Sequence, residues 1–250
     1  MTRRIIDTLL LILLLLVVWE ALHRLVGRYA LSSPLETVQY LSAFFGQPVF
    51  LPNAQATLLA IFYATAIAFG AGLAIGLPLG LFRGAGDVAD PFLIALFSIP
   101  KITLYPVILL IFGLTFVGKV AFGAIHGIFP VILFALSGVR SIRPVYLKSA
   151  RTFNLSTFNA IRLVLLPAAL PEIVTGLRVG FASTILGTLI GEMFAGTEGL
   201  GFVLFKAIDR NNVPLIMALT LLFFVVSSAA NAVLLAVDHR LHRRANPPGS

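Results

Sequence analysis

The stretch Lys148-Ser149-Ala150-Arg151-Thr152-Phe153-Asn154, then nine residues, then Val164-Leu165-Leu166-Pro167, is where this chain changes character. It lies in Ser141–Glu172, the most polar segment of the molecule, between the apolar runs Val120–Gly138 and Ile173–Ala195. Tyr146–Phe153 can form one helix. Asn154 breaks it, because Asn is among the non-glycine residues best able to adopt a left-handed backbone. Ser156 can cap a second helix running to Leu166, and Pro167, which lacks an N–H, then ends that helix. A short helix held crosswise between two apolar runs is a lever that a neighbouring protein can push.

Composition says what the apolar runs are. Of 250 residues 59% are hydrophobic and 11% are Asp, Glu, Lys or Arg, where a soluble domain carries about 25% charged residues. So few charges cannot coat a water-facing globule, which argues against a soluble enzyme. The length allows about six bilayer crossings of roughly 20 residues each. The net charge of +8 suits lipid headgroups as well as any other anionic partner. With no cysteine in the chain, disulfides, thiol catalysis and cysteine-ligated metals are excluded.

Bounding the apolar runs by charge, proline and glycine gives spans near Ile5–Val26, Ala56–Phe82, Phe92–Gly113, Val120–Gly138, Ile173–Ala195 and Val213–Val237. The first is read as a retained helix rather than a signal peptide, because Trp19 and Glu20 follow its core and Arg28 spoils a cleavage site before Ala30. With the N-terminus inside, eleven basic residues fall inside: Arg3, Arg4, Arg83, Arg140, Arg143, Lys148, Arg151, Arg162, Arg240, Arg243 and Arg244. Five fall outside, namely Arg24, Arg28, Lys119, Lys206 and Arg210. Both termini are therefore expected to be cytoplasmic. No basic stripe interleaved with stacking aromatics is present, so no nucleic-acid partner is expected. In the connection at 31–47, Ser33-Pro34-Leu35-Glu36 reads as a capping box with proline at the first helical position. A short helix on the outer membrane surface is expected there, stopped by Gly46.

No motif supplies catalysis. Gly113-Leu114-Thr115-Phe116-Val117-Gly118-Lys119-Val120 nearly spells a phosphate-binding loop, but Val120 stands where a magnesium-ligating Ser or Thr is required. It reads instead as a tight outer turn. Ser137-Gly138 lacks the earlier glycine of a membrane serine-protease signature, His126 has no evident partner, and Asp87 and Asp90 sit in a short loop. Glycine is more telling. Gly72, Gly76 and Gly80, and the pairs Gly123/Gly127, Gly176/Gly180 and Gly187/Gly191, recur four apart, the spacing that lets helix backbones approach closely in lipid. Pro78, Pro106 and Pro130 are expected to bend their spans.

Ionisable groups inside a membrane are expensive and are therefore sought first as functional residues. Arg178 and Glu192 fall on nearly one face of the fifth span, about 21 Å apart along its axis. With Thr175, Ser183, Thr184 and Thr188 they make it the most polar span. Two readings stand: a surface facing a water-filled path, or two residues snorkelling to opposite headgroup layers. Lys101, just after Pro100, reads either as an anchor at the cytoplasmic interface or as a further path residue.

The opening stretch also carries a family resemblance. Lys148 to Asn154, the nine-residue gap and Val164-Leu165-Leu166-Pro167 resemble the EAA loop of ABC importer permeases, with the spacing matched throughout. That loop reads Glu-Ala-Ala, three residues, Gly, nine residues, then Ile-x-Leu-Pro. Pro167-Ala168-Ala169-Leu170-Pro171-Glu172 through Gly176-Leu177-Arg178 is similar to the branch that takes up nitrate, sulfonates and taurine. So are Ile99-Pro100, Pro106, Phe112-Gly113, Gly191-Glu192-Met193 and Gly199-Leu200-Gly201. Lys148 replaces the glutamate, Ser149 the first alanine, and Asn154 the glycine, for which it is a coherent substitute in a left-handed turn.

The resemblance implies an all-α, polytopic membrane protein with six transmembrane helices, of the MetI-like type I ABC importer permease fold. It would be a single transmembrane domain over 1–250, with its core at about 50–240, in a bacterial inner membrane. By the same resemblance, a second permease copy or a paralogue completes the path, and two separate ABC ATPase subunits grip the segment Lys148, Ser149, Ala150, Arg151, Phe153, Asn154, Leu155, Ser156 and Pro167. An extracytoplasmic substrate-binding protein delivers the solute. This chain would hold no cofactor, ATP and magnesium being bound by the ATPases, and no metal. The rival readings are a stand-alone secondary transporter, which usually shows two related halves, and a membrane scaffold with no path.

Overall fold

Apolar length decides the long elements. A computed structural model describes residues 2–245; for 2–5, 147, 149, 151, 195 and 237–245 it describes the backbone only. Among the described residues all regular structure is helical: α1 Thr2–Val26, α2 Pro34–Phe45, α3 Phe50–Leu81, α4 Arg83–Ser98, a 3₁₀ turn Lys101–Leu104, and α5 Tyr105–Phe112. Then follow α6 Phe116–Arg140, α7 Pro144–Thr152, α8 Thr157–Ala160, a π turn Ile161–Leu165, α9 Leu166–Ala195, α10 Leu200–Asp209 and α11 Val213–Ala245. Five unbroken helical stretches are long and apolar enough to cross a membrane: Ile6–Val26, Phe50–Leu81, Phe116–Arg140, Thr157–Phe194 and Val213–Ala236.

The expected third span is not one helix. Arg83–Ser98 and Lys101–Phe112 meet at 86°. The break falls at Ile99, which is extended (ψ 131°) before Pro100, because the ring of a proline pushes the preceding residue out of the α region. Pro106 bends nothing; it sits in the first turn of α5, where its missing N–H has no partner to lose. Pro78 and Pro130 lie inside continuous α3 and α6.

Pro167 does not end a helix either. Over Ile161–Leu165 the backbone widens, with Leu166 N–H reaching Ile161 O. Regular hydrogen bonding then resumes with Pro167 in the first turn of α9. The π turn absorbs the proline, so the crosswise segment runs straight into the long fifth span.

The core is a three-helix sandwich of α3, α6 and α9. Glycines set its spacing. A Cβ added at Gly76 would lie 2.7 Å from the Ile132 carbonyl oxygen and 2.8 Å from Ala135 Cβ, so α3 rests directly on the α6 backbone. Gly123 and Gly127 likewise receive Thr188 and Thr184 of α9. Lipid gives no hydrophobic drive between helices, and such close packing has to supply the attraction. Gly76→Ala is expected to destabilise the protein by about 1–3 kcal/mol through overpacking. Gly70→Ala, where nothing lies within 4 Å, is expected to be neutral or mildly stabilising. Thermal unfolding of the two variants in detergent checks the contrast.

The exterior stays apolar. The run Leu9–Val18 of α1 is exposed along its whole length, which a water-facing helix would not tolerate and a lipid-facing one requires. Trp19 Nε1 donates to Ser32 O at 3.0 Å, and His23 Nδ1 lies 2.6 Å from Leu31 O; these bonds fold α1 back onto the start of α2. Ser33 caps α2, with Glu36 N–H to Ser33 Oγ at 3.2 Å and Ser33 N–H to Glu36 Oε2 at 3.3 Å. Arg28 also pairs with Glu36. The Ser33 backbone donor, helped by Arg28, holds the Glu36 carboxyl below its ordinary value. At the opposite end Arg140 pairs with Asp87 at 2.8 Å and donates to Arg83 O at 3.1 Å, tying the start of α4 to the end of α6.

Candidate functional site: a crosswise turn and a buried charge cluster

Asn154 takes φ +47°, just past the end of α7. Leu155 N–H reaches back to Ala150 O at 3.1 Å, a six-to-one bond that closes the helix end, with Ala150 buried and Leu155 half-buried. Ser156 then caps α8, its Oγ accepting from Asn159 N–H at 3.4 Å. The result is a rigid corner between two short helices, braced because α7 packs on the π turn that leads into α9. Its outward surface is aromatic: Phe153 is 76% exposed and Phe158 68%. Lys148, Asn154, Ser156 and Pro167 are also exposed. The side chains of Ser149 and Arg151 lie outside the described residues. Two exposed phenylalanines stand together on this corner with an exposed lysine.

The polar residues of α9 do not share one environment. Thr184, Thr188 and Glu192 are fully buried, one turn apart on the stripe that meets α6 and α3, with Thr184 Oγ1 donating to Gly180 O at 2.9 Å. Thr175, Arg178 and Ser183 are half-buried on other faces. Glu192 neither snorkels nor faces open water. Its Oε2 accepts from Thr57 Oγ1 at 2.8 Å and from Gly201 N–H at 3.0 Å, and its Oε1 lies 3.5 Å from Lys119 Nζ. Lys119, 1% exposed, stands between two carboxylates, for Glu198 Oε1 is also 3.5 Å away, and it donates to Glu198 O at 3.3 Å.

This cluster ties α3, α6 and α9 to the loop that opens α10. Thr57 Oγ1 accepts from Leu200 N–H at 2.8 Å, and Asn53 Oδ1 from Gly199 N–H at 2.7 Å. Gly199 has φ +112°, and a side chain there would run into the Glu192 carboxylate. Only glycine fits, for both reasons. Sequence reasoning placed Lys119 in an outer turn and missed Thr57 and Asn53. One signal was available: Lys119 lies in the first turn of a helix, where a cation opposes the helix dipole and calls for an acidic partner.

Lys101 stands apart from the polar stripe of α9. It starts the 3₁₀ turn at the break between α4 and α5, half-buried, with Nζ donating to Phe97 O at 3.0 Å and sitting over the Phe97 and Phe129 rings at 4.5 and 5.6 Å. Among the described residues no group of three His, Cys, Asp or Glu side chains could hold a metal.

Five apolar helices, a broken sixth span, a glycine-packed centre and an exposed crosswise corner at one end define a multi-pass membrane permease. The family described as binding-protein-dependent transport system inner membrane component matches residues 66–247, and the chain belongs to that family. Among its relatives, a probable ABC transporter permease protein of Haemophilus influenzae is 30% identical over 97% of this chain and 98% of its own. The taurine transport system permease of Escherichia coli is 27% identical over 91% and 85%. The fold is also that of a solved amino acid ABC transporter crystallised with histidines, with a TM-score of 0.63 at 22% identity, covering 80% of this chain and 98% of that one. The protein is thus a multi-pass inner-membrane permease subunit of an ATP-driven importer.

Proposed function

We propose that two such subunits, or this chain and a paralogue, enclose a path for a small anionic or heteroaromatic solute, and that two separate ATPase subunits drive it. Both termini and the α7–α8 corner then face the cytoplasm, as the excess of basic residues on that side favours. The loops at 31–52 and 196–212 face the opposite compartment and receive the binding protein. The chain itself performs no covalent chemistry and holds no cofactor; ATP and magnesium belong to the ATPases. When these close on ATP, the corner swings, and the continuous helix from Thr157 to Phe194 carries the motion into the path. The half-buried face with Thr175, Arg178 and Ser183 borders that path, whereas Thr184, Thr188 and Glu192 hold the moving helices in register. An aminosulfonate such as the taurine of the Escherichia coli relative suits a path edged by Arg178.

The observation that carries this reading is the exposed pair Phe153 and Phe158 on a braced corner. Aromatic anchors dominate the energetics of docked surfaces, and truncating one costs at least about 2 kcal/mol when it fills a pocket. Tagged protein drawn from native membranes is expected to bring an ATPase with it. The double variant Phe153→Asp/Phe158→Asp is expected to lose the ATPase while eluting as an intact membrane protein. Retention of the ATPase by the double variant would move the docking surface elsewhere.

A further inference from the structure

The bend between α4 and α5 lies deep in the membrane, not at its edge. α6 is 25 residues long, about 37 Å, and Phe129 stands halfway, roughly 20 Å from Phe116 along the axis. Lys101 Nζ is 5.6 Å from the centre of the Phe129 ring, and both limbs of the broken span pack on α6. Lys101 is therefore level with the middle of the bilayer. An ammonium there cannot face hydrocarbon without a large penalty. Interrupted backbone at that depth survives only where it is enclosed by protein or borders water.

The satisfied part of this lysine is small. One of its three donors goes to Phe97 O, and two ring faces flank it. Among the described residues no carboxylate pairs with it, in contrast to Lys119, which has two. A second, independent observation lies four residues on. The Tyr105 hydroxyl is buried and has no hydrogen-bond partner, although its ring is fixed edge-on against Phe122 at 5.6 Å and tilted against Phe194 at 5.5 Å. Buried hydroxyls in folded proteins are satisfied, so an unmatched one is a donor that an acceptor from outside the chain can take once the elbow opens to it. Thr103, between the two, is exposed. An ammonium, a free phenolic O–H and aromatic walls at an interrupted helix are the parts that hold an acceptor-rich anion at the membrane midplane.

We propose that the elbow Ser98–Tyr105 is an anion-binding station of the path, at which Lys101 and Tyr105 take the sulfonate or carboxylate group of the travelling solute. This rests on the permease reading above and names the charge of its cargo and the place where that charge pauses.

The absence of native cysteine makes the test clean. Thr103→Cys is introduced and, in membranes containing the co-expressed ATPase, labelled either with anionic 2-sulfonatoethyl methanethiosulfonate or with its cationic trimethylammonioethyl counterpart. An aqueous station beside Lys101 makes the anionic reagent the faster one, and Lys101→Met or Lys101→Gln is expected to lower the anion-to-cation rate ratio about tenfold. Lys101→Arg is expected to keep it. Leu35→Cys, exposed on α2, reports reagent quality and intact protein in the same membranes. Thr103→Cys that neither reagent reaches, or a ratio unmoved by loss of Lys101, overturns the station. Co-purification of the ATPase, measured on the same membranes, separates the two failures. With the ATPase present and labelling blind to charge, only the station falls; with no ATPase, the permease reading falls.

Discussion

Lys119→Met is expected to destabilise the protein by about 3–5 kcal/mol, the cost of stranding one member of a buried ion pair. Glu192 is fully buried, and with Lys119 gone its Oε1 loses its cation while Oε2 remains tied to Thr57 and Gly201. Glu192→Leu strands Lys119 less severely, because the exposed Glu198 carboxylate remains beside it, and also removes the bonds from Thr57 of α3 and Gly201 of α10. The double variant Lys119→Met/Glu192→Leu is expected to fall short of the summed single costs by about 0.5–3 kcal/mol. Glu198→Gln, at a carboxylate 59% exposed, is expected to cost under about 1 kcal/mol. Unfolding midpoints of the four variants in detergent read all of these terms. Strict additivity of the two single changes would show that the pair does not act as a pair.

Asn154→Pro is expected to abolish coupling between ATP hydrolysis and uptake. Asn154 sits at φ +47°, which a proline ring locked near −65° cannot adopt, at a cost of about 3 kcal/mol or more. That lowers the population of the correctly formed corner by roughly a hundredfold. Asn154→Gly keeps the left-handed turn at no steric cost and is expected to transport normally. The variants differ in no charge, so a loss confined to the proline variant isolates corner geometry from surface electrostatics. Substrate-dependent ATPase activity and uptake, measured together, show it. Equal loss in both variants would assign the effect to the Asn154 side chain instead.

Much of the fold was legible because apolar length is a strong local signal, as in Leu9–Val18 or Val213–Val237. The left-handed Asn154 and the Ser33 and Ser156 caps were legible for a similar reason, since each depends on residues within four positions. What sequence could not give was the outcome of competition between elements. Three prolines illustrate it. Pro167 looked like a stop, yet a π turn upstream moved it into a permitted position. Pro106 looked like a kink but fell in a first turn. Pro100 was the one that broke a span, by acting on Ile99. The pairing of Lys119 with Glu192 joins residues more than seventy positions apart, and no periodicity on either helix announces it. The polar stripe of α9 looked uniform for the same reason: only packing on Gly123 and Gly127 decides that Thr188 and Thr184 turn inward while Arg178 does not.

The most direct measurement is uptake into proteoliposomes holding the purified chain alone, or the chain with its co-purified ATPase and binding protein. Importer function predicts uptake only in the complete mixture, only with ATP inside the compartment that the α7–α8 corner faces, and none with the chain alone under any imposed ion gradient. Gradient-driven uptake by the chain alone would contradict it.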